Sequence, residues 1–260
     1  MAIGIFVVDS HVHGQRHAFK FKERGIKPDY ATLAAGMPQA EVEVYDNSPR
    51  LLYHMDKYQV DVSVLIPAFG MTNELNLQIM DKHPDRFVAL CNAVKTGHKA
   101  VRGEQPWTIE AAVKELDDLL ATGRFCGVGE VLPSNPGKRY EWNQRFEEIC
   151  QLMEVVRKYK VPIDYHTGHL SGYWGARGSS GGAPEFNNVL LCHEVASAFP
   201  DVNIILAHGG VQGWWGEREY IQALEVAAAH RNVYLETGIY WAELYEKPLS
   251  DPNIGAEKLV

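Results

Sequence analysis

Short apolar runs alternate with amphipathic helical stretches along the whole chain, and this alternation is the strongest constraint on the fold. Seven runs rich in valine and isoleucine are predicted as strands, at 5–9, 62–67, 87–92, 126–131, 161–166, 202–208 and 233–237. Most of these runs are continuously apolar, which is typical of parallel strands covered on both faces. The sequence therefore predicts an α/β protein built on a parallel sheet.

The helical stretches are recognised by apolar residues that recur every three or four positions. Six helices are predicted, at 50–58, 75–83, 108–122, 142–159, 186–199 and 217–230, with a seventh near 242–246. The stretch 108–122 has the clearest end, because Gly123 stands just past it where a C-terminal cap is expected.

Two fold families fit this order of elements, the doubly wound open sheet and the (β/α)₈ barrel. A dinucleotide-binding open sheet carries a glycine-rich turn after its first strand. Here the first strand ends instead in the sequence DSHVH at 9–13, and the chain contains neither GxGxxG nor GK[ST]. We therefore predict a (β/α)₈ TIM barrel that occupies residues 1–260 as one domain.

Composition excludes several classes of partner. The 260 residues are 46% hydrophobic and carry 25 Lys and Arg against 33 Asp and Glu, a net charge of −8. An acidic chain without a basic run is a poor ligand for nucleic acid or for an anionic membrane surface. No apolar stretch is long enough to span a bilayer, the N-terminus lacks the features of a signal peptide, and the four cysteines are scattered without a CxxC pair. These features predict a cytoplasmic protein that acts on a small molecule.

Histidine and acidic residues stand where the predicted strands end. Because a strand has a two-residue period, Asp9, His11 and His13 are predicted to point the same way. His166 and His208 close the fifth and sixth strands, and the fourth strand ends at Glu130, which lies at the same rim of the barrel. Imidazole and carboxylate groups form the ligand set of Zn²⁺, Mn²⁺ or Fe²⁺, so we predict a metal centre at this rim.

Two segments interrupt the alternation, 14–47 and 168–188, and both are predicted as long βα loops over the mouth of the barrel. Aromatic residues in the rim loops suggest a flat or aromatic substrate. We predict substrate contacts from Trp174, Trp214 and Tyr240, and a bidentate pair between Arg177 and a substrate carboxylate.

The DxHxH sequence on strand 1, the histidine after strand 5 and the HGG sequence after strand 6 resemble the amidohydrolase superfamily. The closer resemblance is to its amidohydrolase-related branch, which contains metal-dependent hydrolases and decarboxylases of the aminocarboxymuconate-semialdehyde and resorcylate types. The resemblance implies that His11, His13 and His166 bind metal, and that His208 is a ligand or a catalytic acid and base. It covers nearly the whole chain, including the phrases MDKYQVDVSVLI, HPDRFVAL and NIILAHGG.

Two features depart from the family pattern. The family's strand-8 aspartate follows a phrase similar to the last residues of this chain, at 255–260, so we expect the eighth strand to be missing and the barrel domain to be C-terminally incomplete. Glu130 on strand 4 is unusual among decarboxylase relatives and resembles the metal-contacting glutamate of TatD-like binuclear hydrolases. It is therefore added to the predicted metal ligands.

The resemblance implies a hydrolase in which metal-activated water attacks an ester, lactone or amide carbonyl, with one or two Zn²⁺ or Mn²⁺ ions per chain. The first alternative is a metal-dependent decarboxylase of an aromatic or unsaturated acid, in which His208 or Asp9 manages protonation of carbon. The second is a catalytically degenerate binding protein. The resemblance also implies a homo-oligomer.

Overall fold

The computed structural model describes residues 5–21, 40–67, 71–101, 103–130, 132–135, 138, 140–167, 184–211 and 217–260. The strands in these residues are β1 (Val8–Val12), β2 (Gln15–Phe21), β3 (Ala40–Asp46), β4 (Val62–Leu65), β5 (Phe87–Cys91), β6 (Gly127–Val128), β7 (Ile163–His166), β8 (Ile204–Ala207) and β9 (Val233–Leu235).

Seven of these strands form one sheet in the order β1-β4-β5-β6-β7-β8-β9. Every pair of neighbours in this sheet is parallel. Apart from β2 and β3, each strand lies beside the next one along the chain, which is the winding of a TIM barrel; a doubly wound sheet reverses its strand order at a switch point. The prediction of a TIM-barrel-like α/β fold is confirmed.

Helices alternate with the strands of the sheet. They are α1 (Ser48–Tyr58), α2 (Asn73–Lys82), α3 (Val94–Val101), α4 (Ile109–Leu120), α5 (Trp142–Tyr159), α6 (Cys192–Ala198), α7 (Glu217–Ala229) and α8 (Glu246–Ser250). The sequence did not predict α3. In the described part of the chain, no helix has the length and apolar character needed to cross a membrane.

The predicted helix 186–199 is wrong in its first half. Two 3₁₀ turns, Pro184–Asn187 and Val189–Leu191, precede α6. The side chain of Asn188 accepts a hydrogen bond from the backbone N–H of Leu190 and so begins a new turn. Local capping by an asparagine thus breaks a pattern that apolar spacing alone predicts as continuous.

The buried core packs the sheet against the helices on its outer side. Leu65 and Ile204 from the strands and Leu116 and Ile149 from the helices are completely buried. They belong to one contiguous apolar cluster that includes residues from β4 through β9 and from every helix of α1 to α7 except α3. The strand ends that carry the polar residues are thereby held on a rigid support.

The segment 14–47, predicted as a loop, contains an antiparallel hairpin of β2 and β3 whose register runs from Gln15–Asp46 to Phe21–Ala40. The base of this hairpin is fixed by Gln15, which is buried. Its side-chain amide donates to Thr72 O at 2.6 Å and to Asn76 Oδ1 at 2.7 Å, and accepts from Thr72 N at 2.9 Å. These bonds tie the start of the hairpin to the start of α2.

The last two residues lie along β9. Leu259 forms a parallel bridge with Leu235, and the N–H of Val260 donates to Leu235 O at 2.8 Å. The carbonyl of Val260 in turn accepts from the backbone N–H of Thr237 at 3.0 Å. The chain therefore reaches the place of an eighth parallel strand at residues 259–260.

A buried ion pair joins the segments that follow β6 and β7. Arg145 of α5 is fully buried, and its Nε donates to Glu185 Oε1 at 2.7 Å. The same guanidinium donates to the carbonyl oxygens of Leu132 and Pro133 at 3.3 and 2.8 Å. One side chain thus fixes two segments at the rim where the sheet's carboxyl ends lie.

Replacing Thr108 with alanine should destabilise the protein modestly, by about 1 kcal/mol. The Thr108 side chain accepts from Ala111 N at 3.1 Å and caps the first turn of α4. We expect Thr108→Ser to keep this bond and to remain within about 0.5 kcal/mol of the wild type in urea unfolding. Equal stability of Thr108→Ala and the wild type would show that this cap contributes nothing.

Candidate metal centre

Four histidines and one glutamate meet at the carboxyl ends of the parallel strands. His11 lies in β1 and His13 just after it, while His166 ends β7 and His208 follows β8. Glu130 comes two residues after β6 and is almost completely buried. Because parallel strands present their carboxyl ends at one edge, five residues from four strand ends come together here.

Glu130 lies at the centre of this group, and the Nε2 atoms of all four rings face its carboxylate. Glu130 Oε1 is 3.1 Å from His166 Nε2 and 3.2 Å from His208 Nε2. Glu130 Oε2 is 3.5 Å from His11 Nε2 and 3.7 Å from His13 Nε2. Each carboxylate oxygen therefore faces one pair of imidazoles.

The electrostatics of the group follow from burial and from these contacts. Burial raises the pKa of Glu130, but the imidazoles of His11, His166 and His208 outweigh burial and hold it well below its usual range. Burial lowers the pKa of His11, yet the surrounding carboxylates outweigh it and raise that pKa to about 9. Burial lowers the pKa of His166. The cluster thus favours an ionised carboxylate beside at least one neutral imidazole.

Two further acids belong to the cluster, and sequence reasoning gave them no assigned role. Asp164 Oδ2 lies 3.6 Å from His11 Nδ1, and Glu236 Oε2 lies 3.6 Å from both His11 Nδ1 and His208 Nδ1. Burial, together with the charges of Glu130 and Glu236, raises the pKa of Asp164 well above its usual range, although His11 opposes the shift. Asp164 stands two residues before His166 in β7, so strand periodicity carried a signal for it.

The HGG sequence makes a tight turn that only glycine allows after His208. Gly209 and Gly210 have φ angles of +53° and +79°, and a Cβ at Gly210 would overlap the carbonyl oxygen of Glu219. The hydroxyl of Thr167 donates to Ala207 O at 2.5 Å and accepts from Gly210 N at 2.8 Å. This hydroxyl therefore links the ends of β7 and β8 and fixes the turn that carries His208.

The sequence model of the amidohydrolase family matches residues 8–259. The chain belongs to the amidohydrolase family. A comparison with curated proteins finds no match.

Among solved structures, this amidohydrolase is similar to a probable 2-pyrone-4,6-dicarboxylic acid hydrolase from Acinetobacter baumannii with citric acid bound. The TM-score is 0.51 at 13% identity, over 90% of this chain and 70% of that one. A second structure, amidohydrolase 2 from Bifidobacterium longum subsp. infantis, gives a TM-score of 0.47 at 14% identity, over 98% of this chain and 82% of that one. At such low identity, the first likeness supports the fold alone.

The residues of this amidohydrolase fit a divalent ion. Three groups place their ligand atoms within 4.8 Å of one another: His11, His13 and Glu130; Glu130, His166 and His208; His11, His208 and Glu236. Ligand atoms held about 2.1 Å from one ion are about 3.0–3.5 Å apart, close to the separations around Glu130. Both ring nitrogens of His11 and Glu130 Oε2 are buried without a hydrogen-bond partner among the described residues. Buried polar atoms without partners are costly unless something binds them.

The other predicted site residues of the amidohydrolase have different surroundings. Asp9 Oδ1 accepts from His11 N at 3.3 Å, and Asp9 belongs to none of the three groups. The register of β1 against β4 is irregular between Asp9 and Val12. The hydroxyl of Tyr240 donates to Gly209 O at 2.8 Å, beside His208. Trp174, Arg177 and Trp214 lie outside the described residues.

Proposed function

We propose that this amidohydrolase is a metal-dependent hydrolase that cleaves an ester, lactone or amide bond of a small aromatic or carboxylate-bearing molecule. The observation that carries the proposal is the convergence of four imidazole Nε2 atoms on the buried carboxylate of Glu130. Four imidazole nitrogen atoms and a carboxylate form a ligand set for Zn²⁺ or Mn²⁺. A divalent ion at such a site supplies activated water at neutral pH and polarises a carbonyl group.

The division of the imidazoles between the two oxygens of Glu130 supports up to two ion positions. His11 and His13 face Oε2 and would hold one ion, while His166 and His208 face Oε1 and would hold the other. With a single ion, we propose His11, His13, Glu130 and His166 as its ligands. His208 would then be free to exchange protons.

His208 is proposed as the acid and base of the reaction. Its side chain is 15% exposed, against 2% for His166 and 9% for His11, so it reaches solvent more readily than those two rings. His13 is more exposed, at 33%, but its Nδ1 lies 3.0 Å from the carbonyl oxygen of Ile66. Its backbone N–H is fixed by Glu236 at 2.7 Å, which holds the start of the turn in place. Asp9, beside His11, is proposed to support proton transfer, and Tyr240 to contact the substrate.

Metal loading tests the proposal. Stripping the protein with a chelator and adding Zn²⁺ or Mn²⁺ should raise its free energy of unfolding by about 2.7 kcal/mol at an ion concentration 100 times the Kd. For a chain of this size, that is a rise of roughly 5–10 °C in the melting temperature. The double variant His11→Ala with His13→Ala should show no such rise, because it lacks two ligands.

Two results together would overturn the proposal: the purified protein contains less than about one-tenth of an ion per chain, and added metal does not change its melting temperature. Product analysis with candidate aromatic acids and esters separates the remaining alternatives. Release of CO₂ would identify a decarboxylase that uses the same ligands, and metal binding without turnover of any compound tried would favour a binding protein.

Three wider predictions accompany the proposal. A small-molecule substrate agrees with the amidohydrolase family. We propose a homo-oligomer from the family resemblance and a cytoplasmic location from the scattered cysteines. Light scattering of the purified protein and fractionation of cells that express it would test these two predictions.

A further inference from the structure

Glu236 stands one residue after β9 and is buried to 99% of its surface, but the proposed ligand set leaves it without a role. Its carboxylate is held by the main chain on both oxygens. The N–H of His208 donates to Oε2 at 2.7 Å, and the N–H of Gly238 donates to Oε1. A Cβ at Gly238 would overlap Oε1, so the chain after β9 is shaped around this carboxylate.

The carboxylate faces the two ring nitrogens that point away from Glu130. Glu236 Oε2 is 3.6 Å from His11 Nδ1 and 3.6 Å from His208 Nδ1. The Nε2 atoms of the same rings face Glu130. Each ring therefore lies between two carboxylates, with Glu130 on the Nε2 side and Glu236 on the Nδ1 side.

A neutral imidazole carries its proton on one nitrogen and a lone pair on the other, and the acceptor near one nitrogen decides which. His13 shows the same arrangement with a backbone partner, because its Nδ1 lies 3.0 Å from Ile66 O. Rings that offer Nε2 to an ion need an acceptor at Nδ1, and such acceptors raise ligand basicity and fix ring orientation. Asp164 is a second possible acceptor for His11, since its Oδ2 lies 3.6 Å from His11 Nδ1, but it faces no ring nitrogen of His208.

We infer that Glu236 is a positioning residue, which accepts Nδ1–H from both His11 and His208 and thereby directs their Nε2 atoms to the metal. This inference rests on the proposed function. The observed separations of 3.6 Å exceed a typical hydrogen bond by about 0.6 Å, so each ring would have to move towards Glu236 when an ion binds. Glu236 acts through the two imidazoles and does not itself bind the ion. Since both rings share it, Glu236 couples the strand-β1 half of the centre to the half that follows β8.

The test compares wild type, Glu236→Gln, Gly238→Ala and the control Glu225→Gln, whose site is exposed on α7. Zn²⁺ affinity is measured by competition with a chromophoric chelator. We expect a loss of about 10- to 100-fold in Glu236→Gln and a smaller loss in Gly238→Ala, which displaces the carboxylate without removing it. Glu225→Gln should match the wild type. If Glu236→Gln fails to fold, Gly238→Ala still tests the inference. It is expected to fold, because the end of the Glu236 side chain can move away from the added methyl group.

Two spectroscopic readouts separate positioning from ligation and from general destabilisation. The Co²⁺ absorption bands should keep their intensity in both variants, because no ligand is lost. In Zn²⁺-loaded protein labelled with ¹⁵N-histidine, the Nδ1–H signals of His11 and His208 should be visible in wild type and broadened by exchange in Glu236→Gln.

Affinities within twofold of wild type, or Co²⁺ bands that report loss of a ligand, would overturn the inference. A wild-type protein that binds no metal would overturn the proposed function instead, so the two failures are distinguishable.

Discussion

Replacing Glu130 with glutamine is expected to reduce metal affinity by more than the roughly 10- to 100-fold that loss of an outer partner typically costs. Glutamine has nearly the same shape, but it removes the only carboxylate that faces all four Nε2 atoms in the described structure. Chelator competition with Zn²⁺ measures the affinity, and turnover of the substrate should fall with it.

A second readout does not depend on metal. In the metal-free protein, the charge of Glu130 helps to raise the pKa of His11 to about 9. Glu130→Gln should move this pKa towards the ordinary value near 6.5, which an NMR titration of His11 would follow. The control Glu225→Gln should leave both the affinity and the titration unchanged. If the Glu130→Gln protein binds Zn²⁺ as tightly as wild type, Glu130 is not a ligand of the ion.

Replacing Arg145 with methionine is expected to cost about 3–5 kcal/mol of stability, because it leaves the carboxylate of Glu185 buried without a counter-charge. Arg145 is completely buried and Glu185 is 2% exposed. The variant also leaves the carbonyl oxygens of Leu132 and Pro133 without their donor. Urea unfolding measures the loss.

The matched control is Arg124→Met, which breaks an exposed pair with Asp81 and should cost less than about 1 kcal/mol. A double variant, Arg145→Met with Glu185→Met, should recover much of the loss, since neither charge then remains buried. If Arg145→Met is no less stable than Arg124→Met, the ion pair does not hold the rim segments.

The order of strands and helices was predictable because each β/α unit has its own apolar run and its own helical pattern of apolar residues. The apolar runs that became β4, β5, β7 and β8 were located to within a few residues. The β2–β3 hairpin was missed even though the sequence EVEVYD at 41–46 alternates as a half-buried strand does. The glycines, prolines and charges around it favoured a loop. Pairing with a partner strand outside the repeating units decided its structure, and single-sequence patterns do not report such pairing.

The positions of the site residues were predictable where a residue stands at the end of a strand. They were less predictable where the local backbone decides which way a side chain points. His11, His13, Glu130, His166 and His208 come together because they share one edge of a parallel sheet. The period-two argument also grouped Asp9 with them; Asp9 Oδ1 accepts from His11 N, and Asp9 belongs to none of the three ligand groups. The roles of Asp164 and Glu236 depend on which ring nitrogen each carboxylate faces. Three-dimensional orientation determines that, and sequence spacing does not.

The hydrogen bonds of Gln15 separate His13 from the rest of the hairpin formed by β2 and β3. Gln15 is bonded to Thr72 and Asn76 only two residues after His13. Substitutions farther along the hairpin should therefore leave His13, a proposed metal ligand, in place. We therefore expect changes in the hairpin to alter which molecule is accepted at the mouth of the barrel, while the proposed metal ligands keep their positions.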